Sequence, residues 1–104
     1  MAGGKKFAVI GVGKYGSNIA RSLAKKGAQV FVYDIDEEKI EGIKDDVAFA
    51  VTLNSADFKA LSSQKLEEID AAVVAIGDNF EATILTAVHL IDLGVKRIIA
   101  RANG

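Results

Sequence analysis

Residues 7–20 read FAVIGVGKYGSNIA and predict, in turn, a buried strand, a glycine turn and the start of a helix. Gly11, Gly13 and Gly16 have the G-x-G-x-x-G spacing that places a pyrophosphate at a helix N-terminus. We expect Gly11 to make the tight turn, Gly13 to let the backbone approach a phosphate, and Gly16 to let the helix pack against the strand. The spacing alone is a weak signal, because glycine turns end many strands.

The composition indicates one small domain. The chain has 104 residues, of which half are hydrophobic, a net charge of −1 and no cysteine. The near-neutral charge argues against a nucleic-acid partner, and the lack of cysteine excludes a disulfide framework and a thiolate metal site. Apolar runs stay short of the ~20 residues of a membrane span, and the N-terminus has no secretory pattern. We therefore expect a cytoplasmic protein without membrane insertion, in which residues 1–5 are a flexible leader and residues 6–104 form the domain.

Strand-like and helix-like segments alternate along the rest of the chain. This alternation predicts right-handed crossovers and a parallel sheet, hence an α/β doubly wound fold of Rossmann type with three layers and strand order 3-2-1-4-5. The predicted strands are residues 6–11, 29–34, 47–53, 71–76 and 97–100, and the predicted helices are residues 15–26, 36–44, 56–62 and 80–93. Asp78 and Glu81 predict a capping box at the last helix. The ligand crevice is expected between the first and fourth strands.

An acid at the end of the second strand strengthens the nucleotide interpretation. Asp34 ends the strand QVFVYD, where a carboxylate accepts hydrogen bonds from both ribose hydroxyls of an adenosine. It would also repel a 2′-phosphate, and Ile35 rather than arginine follows it, so NADP is disfavoured. Asp36 is better placed to cap the next helix, which leaves Asp34 available. Lys14 either balances phosphate charge or is simply solvated.

Catalytic residues are not evident. A dehydrogenase needs a substrate domain and an acid or base near the nicotinamide, and 104 residues leave no room for that domain. The only histidine, His89, falls in the middle of the last predicted helix, where a structural role is favoured. We therefore expect neither enzyme activity nor a metal site.

From Lys6 onward the chain resembles the N-terminal lobe of the RCK family, also called KTN or TrkA-N. Three stretches carry the resemblance, and the one after the fourth strand is more discriminating than the glycine motif. They read FAVIGVGKYGSNIARSLAKKGAQVFVYDIDEEKI, VTLNSAD and DAAVVAIGDNFEATILTAVHLIDLGVKRIIARAN. Domains of this family gate or regulate potassium channels and Trk/Ktr potassium transporters.

The resemblance implies an adenine nucleotide in the crevice, either NAD(H), ATP, ADP or AMP. It implies that the glycine turn holds phosphates, that the end of the second strand holds the ribose, that the corner after the third strand edges the adenine, and that the end of the fourth strand forms the opposite wall. The glycine turn comprises Gly11, Val12, Gly13, Lys14, Tyr15 and Gly16, and the end of the second strand comprises Asp34 and Ile35. The corner is Asn54 and Ser55, and the opposite wall is Ile76, Gly77 and Asp78. Arg101 would reach the nucleotide or a partner subunit, or else be solvated, and Asn54-Ser55 could equally be a plain turn.

The function implied is that of a cytosolic regulator, held at the inner face of the membrane by a potassium transporter or channel subunit. A homodimer or a larger ring-like homo-oligomer is implied, with the last helix and the edge of the fifth strand as its contact surfaces. Family members continue past the fifth strand, so we expect this chain to be a fragment truncated there, the alternative being an unusually short regulator. Regulators that sense ATP often carry arginine where this chain has Lys14, which cannot form a bidentate fork. The alternative function is the NAD-binding fragment of an oxidoreductase.

Overall fold

A computed structural model describes residues 4–77 and 79–101 as a five-stranded parallel sheet in the order β3-β2-β1-β4-β5, with helices on both faces. The strands are β1 (Lys6–Ile10), β2 (Gln29–Asp34), β3 (Phe49–Thr52), β4 (Ala71–Val74) and β5 (Ile98–Ala100). The helices are α1 (Lys14–Lys25), α2 (Glu37–Ile43), α3 (Phe58–Ser62) and α4 (Phe80–Asp92), with single 3₁₀ turns at Lys44–Asp46 and Leu66–Glu68. The predicted fold class and strand order are confirmed.

The sheet separates two apolar layers. Successive side chains of β1 and β2 point to opposite faces of the sheet, as the pleat of a strand requires. On one face α1 and α2 pack over Val9, Val30 and Val32. On the other face α3 and α4 pack over Ile10, Tyr33 and Val74. The central strands are covered on both sides, which explains why their sequences are continuous apolar runs.

Four of the five predicted strands are longer than the observed ones, and each is shortened at the cleft or at a sheet edge. The edge strand β5 covers only Ile98–Ala100 of the predicted 97–100. β4 ends at Val74 rather than at residue 76, because the following residues leave the ladder to form a wall of the cleft. β1 ends at Ile10, because Gly11 begins the turn. β3 is an edge strand and covers only Phe49–Thr52 of the predicted 47–53.

The start and the orientation of α4 also differ from simple expectation. Its N-cap is Asn79, whose Oδ1 accepts from the Ala82 amide at 2.9 Å, so the predicted cap at Asp78 is one residue too early. Asp78 itself lies outside the described residues. The residues of α4 that are buried include two threonines, whereas five of its large apolar residues are exposed. The buried ones are Thr83, Thr86 and Leu90, and the exposed ones include Phe80, Ile84, Val88 and Ile91.

Candidate functional site

A cleft of about 820 Å³ lies at the carboxyl ends of the strands. It is lined by residues of β1 and β2, by the segments that follow the strands, and by residues of α1, α2 and α4. This is the position that the doubly wound topology favours, and the volume lies in the range of small-molecule sites. Of the predicted site residues, the cleft is lined by Gly11, Gly13, Lys14, Tyr15, Asp34, Ile35, Asn54, Ser55, Ile76, Gly77 and Arg101. Val12 and Gly16 are buried beneath it, and Asp78 lies outside the described residues.

The three glycines of the turn have different physical roles. Gly11 has φ +99°, and a Cβ there would lie 2.5 Å from the carbonyl oxygen of Ala75. A Cβ on Gly16 would overlap the carbonyl oxygen of Gly11 itself. A Cβ on Gly13, by contrast, would meet nothing within 4 Å. The fold therefore needs Gly11 and Gly16, whereas Gly13 borders open space in the cleft.

The N-terminus of α1 faces this open space. Gly13 is its N-cap and provides no side-chain oxygen, and the hydrogen bond from the Ser17 amide to the Gly13 carbonyl, at 2.9 Å, closes the first turn. The amides of Lys14, Tyr15 and Gly16 consequently have no acceptor within the helix. Together with the positive end of the helix dipole, they favour an anion at this point. The side chain of Lys14 is exposed beside it.

Asp34 is fixed in place by backbone amides. Its Oδ2 accepts from the Val12 amide at 2.7 Å, and its Oδ1 accepts from the Asp36 amide at 2.8 Å. A carboxylate has about four lone-pair sites, so each oxygen retains acceptor capacity toward the cleft. Val12 thus contributes through its amide, while its side chain packs in the core. The geometry is suited to accept hydrogen bonds from a diol held above the glycine turn.

Asp36 caps α2, as predicted. Its Oδ1 accepts from the Glu38 amide at 2.9 Å and from the Lys39 amide at 3.4 Å. The first turn of α2 then brings Lys39 to the rim of the cleft beside Asp34 and Ile35. Sequence reasoning missed Lys39. The available signal was its position in the first turn of the helix that follows Asp34, which was already a predicted ligand-binding residue.

The corner after β3 is tied to α4. Asn54 Oδ1 accepts from the Ala56 amide at 3.0 Å, and the Ser55 hydroxyl is hydrogen-bonded to the Thr86 hydroxyl at 2.7 Å in a buried position. His89 Nε2 lies 3.1 Å from the Ala56 carbonyl oxygen, which can only accept, so this nitrogen carries the hydrogen. The side chain of Asn54 therefore makes the turn, that of Ser55 ties the turn to α4, and both residues still line the cleft.

The opposite wall is also anchored on α4. The Thr83 hydroxyl donates to the Asn79 carbonyl oxygen at 3.0 Å and lies 3.3 Å from that of Ile76. Ile76 and Gly77 are thereby held along the side of the cleft that faces β2. The far end of this wall is closed by Arg101, whose backbone amide donates to the Val74 carbonyl oxygen at 2.9 Å.

Tyr33 forms part of the floor of the cleft and was not among the predicted site residues. Only 2% of its surface is exposed, and burial raises the pKa of its phenol to about 12. The phenol is therefore neutral at physiological pH and can donate a hydrogen bond. The apolar pattern of QVFVYD indicated only a core position here.

Charge around the cleft is mixed. Lys14, Lys39 and Arg101 supply three cations, and Asp34 and Glu81 supply two carboxylates among the described lining residues. Within residues 4–77 and 79–101, no three acidic, histidine or cysteine side chains are grouped to hold a metal ion. In the same part of the chain, no helix has the length and hydropathy of a membrane span.

Comparison with known proteins places this chain in a family. A family model described as "TrkA-N domain" matches residues 7–104. The Ktr system potassium uptake protein C of Bacillus subtilis is 40% identical over 99 residues, covering 95% of this chain and 45% of the relative. The Ktr system potassium uptake protein A of Vibrio alginolyticus is 33% identical over 101 residues, covering 97% of this chain and 46% of the relative. The chain thus spans less than half the length of these two relatives.

A solved structure with the same architecture is the NAD(P)-binding domain of an exopolyphosphatase-related protein from Archaeoglobus fulgidus. Its TM-score is 0.78 at 28% identity, and the match covers 89% of this chain and 70% of that one. This likeness agrees with the Rossmann-type sheet described above and with a nucleotide-binding domain.

Proposed function

This chain belongs to the TrkA-N domain family, and we propose that it is the adenine-nucleotide-binding regulatory domain of a potassium uptake system. The observation that carries the proposal is the placement of Asp34 and the free N-terminus of α1 on either side of the glycine turn, within one cleft. A carboxylate for ribose hydroxyls and a helix N-terminus for phosphate are what an adenosine phosphate requires. The names of the two Ktr relatives support the link to potassium uptake.

The residues of the cleft suggest how the ligand lies. Asp34 would accept the ribose hydroxyls, and the exposed side chain of Ile35 would contact the base. The amides of the glycine turn and of α1, with Lys14, would hold the phosphates. The corner at Asn54 and Ser55 would edge the adenine, while Ile76, Gly77 and Asp78 would form the opposite wall, with Arg101 at the phosphate end.

We propose NAD(H), ATP, ADP or AMP as ligands and a weak affinity for NADP. The carboxylate of Asp34 repels a 2′-phosphate, and its two amide hydrogen bonds keep it from turning away. Lys39 stands near the same place and is the residue that would reduce this repulsion. The nucleotide acts as a signal and not as a redox cofactor in this proposal, so the domain is not an enzyme.

Regulation requires a ligand that binds two states of the assembly with different affinity. The proposed assembly is a homodimer or ring of this domain, attached to a potassium transporter or channel subunit at the cytoplasmic face of the membrane. The apolar face of α4 and the edge of β5 are the surfaces proposed for self-association, because Phe80, Ile91 and Ile99 are each more than half exposed there.

The nucleotide proposal is tested by isothermal calorimetry of the chain with NADH, NADPH, ATP, ADP and AMP. Because Asp34 accepts from both ribose hydroxyls, we expect NADH to bind at least ~10-fold more tightly than NADPH, and Asp34→Asn to weaken every adenosine ligand by roughly 10-fold. Asp46→Asn is the matched control, since Asp46 is an exposed carboxylate paired with Arg21 away from the cleft.

Absence of both heat and a thermal shift with all five ligands would contradict nucleotide binding. Equal affinity for NADH and NADPH would contradict the assigned role of Asp34. Regulation is then measured as potassium uptake in cells that express the chain together with a potassium transporter subunit, comparing the parent chain with Asp34→Asn. Identical uptake would contradict control through this site.

A further inference from the structure

A cation–π contact crosses the cleft. The guanidinium carbon of Arg101 lies 3.8 Å from the centroid of the Tyr15 ring. Both residues are exposed, and both line the cleft. We propose that Tyr15 is a positioning residue, which holds Arg101 for the distal phosphate and so makes the site select nucleotides with more than one phosphate. This inference rests on the nucleotide binding proposed above.

The backbones that carry the pair are both fixed. Arg101 directly follows β5, and its amide donates to the Val74 carbonyl oxygen of β4 at 2.9 Å. Tyr15 is the second residue of α1, where Gly16 packs closely on the Gly11 carbonyl. The two side chains therefore meet between elements whose positions the sheet determines. Whether Arg101 is directed toward the glycine turn depends on the ring beneath it.

Stacking leaves the donors of the guanidinium available. A cation–π contact uses the face of the guanidinium plane, whereas its five N–H donors lie in that plane. Among residues 4–77 and 79–101, every observed ion pair joins other side chains than Arg101. The guanidinium of Arg101 can therefore stack on the ring and still bind a phosphate bidentately through the edge of its plane.

The strand order places Arg101 at the end of the ligand that is remote from the adenosine. Asp34 ends β2, the glycine turn follows β1, and Arg101 follows β5, which lies beyond β4. At ~4.8 Å between neighbouring strands, β2 and β5 are roughly 14 Å apart. A nucleoside monophosphate held at Asp34 ends above the glycine turn. A second phosphate would extend toward Arg101.

A purely structural contact would behave differently from a positioning one. If the pair only fastened the end of β5 to α1, its loss would lower thermal stability and would affect all nucleotides alike. If Tyr15 positions Arg101, its loss changes the ratio of the affinities for ADP and AMP. Phenylalanine keeps the ring face and removes only the hydroxyl, so Tyr15→Phe distinguishes stacking from hydrogen bonding.

The experiment compares ADP and AMP by calorimetry for the parent chain, Tyr15→Phe, Tyr15→Leu, Arg101→Gln and the double variant Tyr15→Leu/Arg101→Gln. We expect Tyr15→Leu and Arg101→Gln each to weaken ADP by roughly 5- to 10-fold and AMP by less than about 2-fold. Tyr15→Phe should keep the parent ADP:AMP ratio. The double variant should be no weaker than Arg101→Gln alone, because the two residues act as one unit. Lys25→Gln, at the exposed far end of α1, is the charge control.

Two results would overturn the inference alone: an unchanged ADP:AMP ratio in Tyr15→Leu, or additive losses in the double variant. A parent chain that binds neither nucleotide would overturn the proposed function and, with it, this inference. Thermal unfolding of each variant without ligand separates these results from a general loss of stability.

Discussion

Two glycines of one turn differ in what the fold requires of them: Gly16 is needed for the fold, whereas Gly13 is needed only for the proposed binding of phosphate. Gly16 is needed because any Cβ there overlaps the Gly11 carbonyl oxygen, so its role is complete before a ligand arrives. Gly13 has φ −71°, which any residue can adopt, and space above it. The G-x-G-x-x-G spacing alone does not distinguish these roles, because glycine satisfies both of them.

This difference predicts opposite results for two similar substitutions. Gly16→Ala should lower the free energy of unfolding by more than ~3 kcal/mol, because strand β1 and α1 must separate to admit the methyl group. Gly13→Ala should cost about 1 kcal/mol or less as an N-cap change, yet it should weaken nucleotide binding by roughly 10-fold by placing a methyl group in the phosphate space. Urea unfolding and calorimetry measure the two effects. A Gly13→Ala variant as unstable as Gly16→Ala would contradict this assignment.

Among the contacts between elements, the hydrogen bonds that join α4 to the corner after β3 are the least expected. α4 turns threonines inward, and the hydroxyl of Thr86 pairs with that of Ser55 where neither reaches water. His89 adds a second link to the same corner through the Ala56 carbonyl oxygen. The corner of the cleft after β3 and the exposed face of α4 are therefore parts of one connected unit.

The hydroxyl pair predicts a coupled loss of stability. Thr86→Val keeps the shape but leaves the Ser55 hydroxyl buried without its partner, so we expect the free energy of unfolding to fall by ~1–3 kcal/mol. Ser55→Ala should cost about as much, and the double variant Ser55→Ala/Thr86→Val should cost clearly less than the sum. Thr52→Val, at an exposed edge position, is the control. Strictly additive losses in urea unfolding would contradict the pairing.

The order of the elements could be predicted from the sequence, and much of their detail could not. Apolar runs such as those ending at Ile10 and Val74 follow from burial on both faces of a parallel sheet, so the strand order was predictable. The cap at Asn79 was not, because Asp78 is an equally good capping residue. Tyr33 reaches the cleft only through tertiary packing, which leaves no local pattern, and for Lys39 the sequence offers only its place in the first turn of the helix after Asp34.

At the scale of the whole molecule, an apolar surface remains uncovered. Phe80, Ile84, Val88 and Ile91 lie exposed on α4, and Ile99 is exposed on the neighbouring edge strand β5. The helix carries apolar residues on this outer side as well as in the core, so its sequence alone does not tell which face packs on the sheet. A second copy of the domain, offering the same face, would remove this surface from water.

Self-association through this surface predicts a clear mutational result. Ile84→Glu combined with Ile91→Glu should convert an associating chain into a monomer, because burying two carboxylates in an apolar contact is strongly unfavourable. The free energy of unfolding should change little, since both side chains are exposed in the single domain. Sedimentation velocity over a concentration series measures the effect, and Ser22→Glu on exposed α1 surface is the control. A double variant that still associates like the parent would contradict this surface.

The two amide hydrogen bonds to Asp34 have a consequence for signalling. A carboxylate already held by Val12 and Asp36 has little rotational freedom left for a ligand to remove. The part of the cleft proposed to bind the ribose is therefore preorganised and would look alike in every state of an assembly, so under the proposed function it would supply affinity without favouring one state over another. Discrimination between states must then arise at the other end of the cleft, where exposed side chains from α1 and from the end of β5 can still rearrange.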